Sequence, residues 1–372
     1  MLRIGITGKN GFVGNYLYNT IALFPDKFER IEFEKAFFDS PIKLDAFVKQ
    51  CDVIVHLAGM NRNPDPEIIY QTNILLANQL QESLERVNHK PHLIFSSSSQ
   101  EENENYYGKS KRLARNILTN WAAKNNANFT GLVIPNVFGP FGKPYYNSVV
   151  ATFCYQLTHA ESPKIDVDSE MKLIFVGELV EEIIRIIENN ITEPKLVVSH
   201  TKVSTVSEIL RLLSSYLSLY SHKGIIPQLN SRFELNLFNT FRSYEDLKTK
   251  FPVSLIGNLD QRGAFTEIIR LNVGGQVSFS TTHPGITRGN HYHTRKVERF
   301  AVIKGKALIQ LRKVGTDEIL DFYISEEQPA YVDIPIWYTH NIKNIGETEL
   351  YTMFWINEFY DPNDADTYFE VV

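Results

Sequence analysis

Two cysteines, Cys51 and Cys154, are all that 372 residues contain. They stand far apart in apolar surroundings, so a disulfide framework is not expected and reducing conditions suit the chain. No apolar run approaches the ~18 residues that a membrane-spanning helix needs. There is no excess of basic residues either: 38 Lys and Arg against 43 Asp and Glu leave a net charge of −5. That balance offers no electrostatic case for nucleic acid. The chain opens on the β-type run Leu2–Ile6 with no leader pattern, so membrane insertion is disfavoured and a cytoplasmic location is expected. A hydrophobic content of 43% is enough for two separate cores.

The first part of the chain alternates strand and helix signals. Apolar runs at 2–7, 53–57, 93–95 and 131–134 are separated by helical patterns such as 67–87 and 108–124. Right-handed crossovers and a parallel, doubly wound Rossmann-like sheet follow from that alternation. After Pro252 the pattern changes to short β-runs with Gly turns, which suit a jelly roll. The expected division is residues 1–245 and 250–372.

The first strand runs into Thr7-Gly8-Lys9-Asn10-Gly11-Phe12-Val13-Gly14. Glycines at 8, 11 and 14 let the backbone turn tightly and approach a pyrophosphate at the helix N-terminus. Tyr107 and Lys111 lie four apart, on one helical face, after a strand that ends Ser96-Ser97-Ser98-Ser99. An ammonium near the phenol would lower its pKa and let the pair move a proton near neutral pH. Near the end of the second strand Glu34 and Lys35 give opposite answers: a carboxylate takes a ribose diol, a cation a 2′-phosphate. Asp39 is either an adenine contact or a helix cap. Asn147 is either a sugar or nucleotide contact or a helix cap.

In the second part, His291 and His293 share one face of a strand, Glu298 begins the next, and His340 returns from a later one. Three imidazoles and a carboxylate converging in a small barrel suit a divalent metal such as zinc, and also iron, nickel or manganese.

Several of these motifs carry resemblances. The glycine turn, His56-Leu57-Ala58-Gly59, Thr72-Asn73, the Ser strand, Tyr107, Lys111 and Pro135-Asn136-Val137-Phe138-Gly139-Pro140 resemble the extended short-chain dehydrogenase/reductase superfamily. That resemblance implies hydride transfer between a nicotinamide and a nucleotide-linked sugar. Tyr107 would be the general acid, Lys111 would bind the nicotinamide ribose, and Ser98 would meet the substrate oxygen, with Ser97 the alternative. It further implies cofactor contacts from Gly8, Gly11, Phe12, Gly14, Leu57, Ala58, Gly59, Asn73 and Lys111, with Lys35 selecting NADPH, and a substrate contact from Asn136.

The segment Gly285–Gly305 and the later Pro335-x-Trp337-x2-His340-x3-Asn344 resemble the two cupin motifs, except that Trp337 stands where cupins usually have Gly. That exchange would crowd the barrel mouth. Asp260–Glu267, Gln276–Ser280 and Arg288–His291 resemble the dTDP-4-dehydrorhamnose 3,5-epimerase group of cupins. In that group the His at the position of His291 is a base and no metal is needed. A metal-bound imidazole cannot also take a proton, so with metal present the base would be another group, with Lys296, Tyr338 and His283 nearby. Arg288 and Arg262 are either diphosphate contacts or surface ion pairs.

The pairing of both halves, with 145–155 and 361–369, resembles the bifunctional bacterial capsular-polysaccharide reductase family across essentially the whole chain. It implies a homodimer that epimerises C3 of a UDP-4-keto-6-deoxy-N-acetylhexosamine in the cupin and then reduces C4 with NADPH, giving a UDP-2-acetamido-2,6-dideoxy-L-hexose. The alternative keeps the reductase and makes the cupin a metal-stiffened module for dimerisation or substrate delivery. A regulatory sensor built from inactive domains is a third reading, opposed by the intact Tyr107 and Lys111.

Overall fold

The computed structural model describes every residue except Arg262, together with all side chains but those of Leu259, Gly263 and Ala264. By contacts the chain separates into two compact units. One comprises residues 1–152 and 167–206, the other 153–166 and 207–372.

In the first unit, β1 (Leu2–Thr7) is followed by α1 (Phe12–Ile21), β2 (Phe28–Ile31), α2 (Pro41–Gln50), β3 (Val53–His56) and α3 (Pro66–Val87). β4 (His92–Ser98), α4 (Tyr106–Asn125), β5 (Phe129–Ile134), β6 (Asn136–Phe138) and α5 (Val149–Thr158), which from Phe153 on belongs to the second unit, continue the chain. β7 (Glu170–Phe175), α6 (Val176–Glu188), β8 (Glu193–Val197) and β9 (Lys202–Thr205) follow. Strand order is β2-β1-β3-β4-β5-β8, and each pairing in it is parallel. This is the expected doubly wound sheet. The chain reverses direction of winding at β1 and β3, and open α/β sheets bind ligands in the crevice at the carboxyl end of such a point.

The helices start and stop where local chemistry dictates. Asp65 accepts from Glu67 N before Pro66 opens α3, and Asn105 accepts from Gly108 N at 2.7 Å to start α4. Both helices end on an asparagine in the left-handed region, Asn88 (φ 49°) and Asn126 (φ 50°). Between sheet and helices, Phe33, Phe38, Phe47, Leu80, Leu118 and Trp121 form part of one buried cluster.

The second unit takes in α7 (Val206–Tyr216), β10 (Ile225–Ile226), α8 (Arg232–Arg242) and α9 (Leu247–Lys250), and is antiparallel β thereafter except for a short strand at Arg270–Leu271 that pairs parallel with β10. The strands are β11 (Val253–Ser254), β12 (Gly257–Asp260), β13 (Gly263–Thr266), β14 (Arg270–Leu271), β15 (Gln276–Thr282), β16 (Thr287–Tyr292) and β17 (Glu298–Lys304). They continue as β18 (Lys306–Lys313), β19 (Ile319–Ser325), β20 (Ala330–Ile334), β21 (Tyr338–Asn344), β22 (Leu350–Ile356) and β23 (Tyr368–Phe369). Two five-stranded sheets, β11-β20-β17-β22-β15 and β19-β18-β21-β16-β23, carry this all-β region. Phe300, Val302, Ile309, Leu311, Ile342 and Leu350 meet in its core. Leu247 and Phe251 join that same core, which is why the helices after residue 207 group with the strands. Among the described residues no helix is long and apolar enough to cross a membrane.

Candidate functional site

A cleft of about 820 Å³ opens at the carboxyl end of the parallel sheet. The glycine turn forms one wall, and two of its glycines have no substitute. Gly8 holds φ +79°, and an added Cβ would lie 2.8 Å from the Ala58 nitrogen. A Cβ on Gly14 would lie 2.2 Å from the Gly8 carbonyl oxygen. The first turn of α1 carries no acidic residue, and Gly11 caps it without a side chain, so its N–H groups face an open cradle. That is a site for an anionic diphosphate.

Of the residues expected to touch cofactor, Gly8, Gly11, Phe12, Gly14, Leu57, Gly59 and Lys111 line the cleft, as do Ser98, Tyr107, Asn136 and Asn147. Ala58, Asn73 and Lys35 are not part of its lining. Asn73 braces the wall of the cleft. Its Oδ1 accepts from Met60 N at 2.7 Å, and its Nδ2 donates to Met60 O and to Ser110 Oγ, tying the turn after β3 to α4.

Lys35 begins an exposed 3-10 turn. Because β2 ends at Ile31, the first carboxylate beyond it is Glu32, which pairs with Lys9 of the glycine turn and accepts from the Tyr18 hydroxyl. Neither Lys9 nor Glu32 is singled out by the sequence, which points to Glu34 and Lys35 near the strand end.

Ser98 neighbours the Tyr107 phenol closely enough to act on its pKa. Ser97 also lines the cleft, but it is buried and donates to Glu101. Burial pushes the Tyr107 phenol above its ordinary value, Ser98 pulls it back, and nearby Tyr146 pushes it further up. This is opposite to the lowering expected from Lys111. The Lys111 ammonium lies 5.0 Å over the Phe95 ring, and burial brings its own pKa down to about 8. The phenol therefore stays protonated, as a proton donor must. Lys143 over Tyr146, and Arg62 donating to the Tyr145 and Tyr146 carbonyls, were not foreseen either.

In the second unit, His291, His293, Glu298 and His340 converge, their ligand atoms all within 4.8 Å of one another. Glu298 Oε2 lies 3.0 Å from His293 Nε2 and 3.3 Å from His340 Nε2. None of the three atoms has hydrogen-bond geometry, although each is buried. Donor atoms that approach without bonding one another fit a shared cation, and the N3O donor set suits zinc. The Nδ1 of His293 bonds the Asp366 carbonyl, which leaves Nε2 directed at the cluster. Burial and then the neighbouring His340 and His293 bring His291 down to about 4, so its imidazole is neutral as a ligand must be. Burial opposes ionisation of Glu298, yet His293 and His340 hold its pKa well below the usual carboxylate range.

Trp337 does not crowd this cluster. It takes the left-handed conformation that glycine favours (φ +62°), and its ring stacks on Tyr292 at 5.6 Å. Tyr292 faces the opposite side from His291 and His293 by strand alternation. Arg288 is exposed and donates to Thr282 Oγ1 and the Thr281 carbonyl. Arg262 lies outside the described residues.

Residues 4–198 match the NAD dependent epimerase/dehydratase family, and residues 258–368 match the polysaccharide biosynthesis C-terminal domain. The chain belongs to the NAD dependent epimerase/dehydratase family. Within it, the chain is 32% identical to a UDP-2-acetamido-2,6-beta-L-arabino-hexul-4-ose reductase from Pseudomonas aeruginosa, over 99% of this chain and 98% of that protein. It is 36% identical to the crystal structure of the capsular polysaccharide assembling protein CapF from Staphylococcus aureus, with full coverage of both and a TM-score of 0.64. A structure of RMD from Pseudomonas aeruginosa complexed with NADPH shares the fold at 17% identity and TM-score 0.57, covering 66% of this chain and 99% of that one. The resemblance to fused capsular-polysaccharide enzymes read from the motifs is thereby shown along the whole length.

Proposed function

We propose that this family member is a bifunctional nucleotide-sugar enzyme. The second unit inverts C3 of a UDP-4-keto-6-deoxy-N-acetylhexosamine, and the first reduces the C4 ketone, giving a UDP-2-acetamido-2,6-dideoxy-L-hexose for surface polysaccharide. The observation that carries the reductase half is that Ser98, Tyr107 and Lys111 line one cleft with the glycine turn. The near full-length likeness to a hexulose reductase supports the substrate class. The division of labour is placed between residues 245 and 250, within the stretch 199–257 that neither family match covers, although α7, α8 and most of that stretch group with the second unit.

NADPH, when bound, supplies the hydride. The backbone N–H groups after Gly11 hold its diphosphate, and Lys111 is placed for its ribose. Ser98 and Tyr107 receive the ketone oxygen, and Tyr107 gives that oxygen its proton. Asn136 and Asn147 line the same cleft for the sugar. In the second unit a divalent metal, zinc by donor set, would be held by His291, His293, Glu298 and His340 and would supply Lewis acidity toward a carbonyl. Arg288 at the exposed strand is a candidate for the diphosphate. Homodimerisation is part of the proposal, supported by edge strand β15, where Val277 and Phe279 stand exposed.

One observation favours the alternative in which the barrel only delivers substrate or dimerises. Lys296 is engaged with the Ala365 carbonyl, and His283 lies 3.4 Å from Glu349 on the surface, so two of the three expected bases are committed elsewhere.

Proton exchange separates the readings. Tyr107→Phe protein is incubated with the UDP-4-keto sugar in D2O without NADPH, and deuterium at C3 is followed by NMR. Wash-in supports the epimerase, and its absence leaves the delivery module. Reduction by the wild type, lost by about 10²–10⁴-fold in Tyr107→Phe, tests the reductase.

A further inference from the structure

The cluster of His291, His293, Glu298 and His340 is held from behind by a segment far away in sequence. Asp366, 5% exposed and at φ +40°, places its carboxylate over the turn that joins His293 to Glu298. Oδ1 accepts from Thr294 N at 3.0 Å and Thr294 Oγ1 at 2.6 Å. Oδ2 accepts from Arg295 N at 3.0 Å and Lys296 N at 3.1 Å. The Asp366 carbonyl receives His293 Nδ1. One residue thus gathers three consecutive backbone donors and a ligand imidazole.

The flanking chain reinforces this seat. Ala365 O accepts from Lys296 Nζ at 2.6 Å, and β23 pairs Phe369 with His291 and Tyr368 with Tyr292 along β16. A carboxylate that takes three backbone N–H groups substitutes for strand pairing where the turn has none, because buried amide groups need an acceptor. Removing it would free the turn, and with it the separation of His293 from Glu298.

We propose that Asp366 is the positioning residue of the metal centre, and that the last dozen residues are a strap whose docking and metal loading are mutually dependent. The inference rests on the metal reading above. By linkage, whatever the strap contributes to metal affinity, the metal returns to the docking of the strap. Outer partners of metal-bound imidazoles are worth roughly 10–100-fold in affinity.

The test uses the full chain and zinc alone. Affinity is measured by competition with a chromophoric chelator for wild type, Asp366→Asn, Asp366→Ala and Asp364→Ala. Asp364 is the control, since its side chain reaches only Arg295. Asp366→Asn keeps the shape but sets amide hydrogens against two backbone donors. Zinc affinity is expected to fall roughly 10–100-fold in both Asp366 variants and to hold in Asp364→Ala. Hydrogen exchange on wild type reads the same coupling without a mutation: stripping zinc is expected to speed exchange at Thr294, Arg295 and Lys296. Stoichiometric zinc in wild type with unchanged affinity in Asp366→Asn, or unchanged exchange at those amides, overturns the strap. A wild type that takes no zinc overturns the metal reading itself.

Discussion

Arg115 and Glu101 form a two-armed ion pair behind the cleft, Nε and Nη2 each 3.0 Å from a carboxylate oxygen. Glu101 is fully buried, and Arg115 sits on α4 two turns beyond Tyr107, one turn beyond Lys111. The pair clamps that helix to the turn just after Ser98, and Lys195 and Ser97 complete the carboxylate's shell.

Glu101→Gln strands a buried guanidinium, so a loss of about 3–5 kcal/mol in denaturant unfolding is expected. Wild-type stability has a matching pH dependence. Burial raises the Glu101 pKa, but Arg115, Ser97 and Lys195 together bring it below its ordinary value. Its contribution is therefore present above about pH 4.5 and lost as pH falls through the folded value. A variant that keeps the acid-side slope of the wild type would remove Glu101 from this account.

Lys111 works in the other direction. Its pKa falls from 10.5 to about 8 on burial, so below about pH 8 the charged side chain costs stability, and the cost fades between pH 8 and 10.5. Lys111→Met is expected to melt higher than wild type at pH 7, by an amount on the order of 3 kcal/mol at most, and to lose its advantage toward pH 10.5. Reduction should be lost in the same variant. Calorimetry at both pH values reads the crossover, and a destabilised variant at pH 7 would refute it.

Gly14→Ala meets the Gly8 carbonyl and must displace the turn. Nicotinamide dinucleotide binding, followed by quenching of protein fluorescence, is expected to weaken at least tenfold while zinc content of the second unit stays the same. Wild-type dinucleotide affinity in this variant would mean that the turn does not hold the diphosphate.

The cofactor's ribose is expected to meet Glu32 and Lys9 rather than Lys35. Glu32→Gln frees the Lys9 ammonium for a 2′-phosphate and removes a carboxylate acceptor for a diol. The ratio of kcat/KM for NADPH over NADH should rise roughly tenfold or more, since a bond to a charged group contributes about 1.5–3 kcal/mol. Lys35→Ala should leave that ratio near its wild-type value. The reverse pattern would restore Lys35 as the selector.

What could be read along the chain is what repeats within a few residues. The glycines at 8, 11 and 14, the four-residue step from Tyr107 to Lys111, and the two-residue step from His291 to His293 each follow from the geometry of one turn, helix or strand. The change from strand-helix alternation to short β-runs likewise announced a parallel sheet followed by antiparallel ones. Tertiary structure decided the rest, because it depends on which distant side chain arrives. Ser97 donates to Glu101 while Ser98 neighbours Tyr107, and no spacing distinguishes adjacent serines. Glu32 follows directly after β2 because that strand stops at Ile31, which pairs with Gly5. Asp366 reaches His293 across 73 residues. Local periodicity records backbone geometry, whereas desolvation and long-range pairing, which set the phenol's pKa and hold the ligand cluster in place, exist only once the chain has closed on itself.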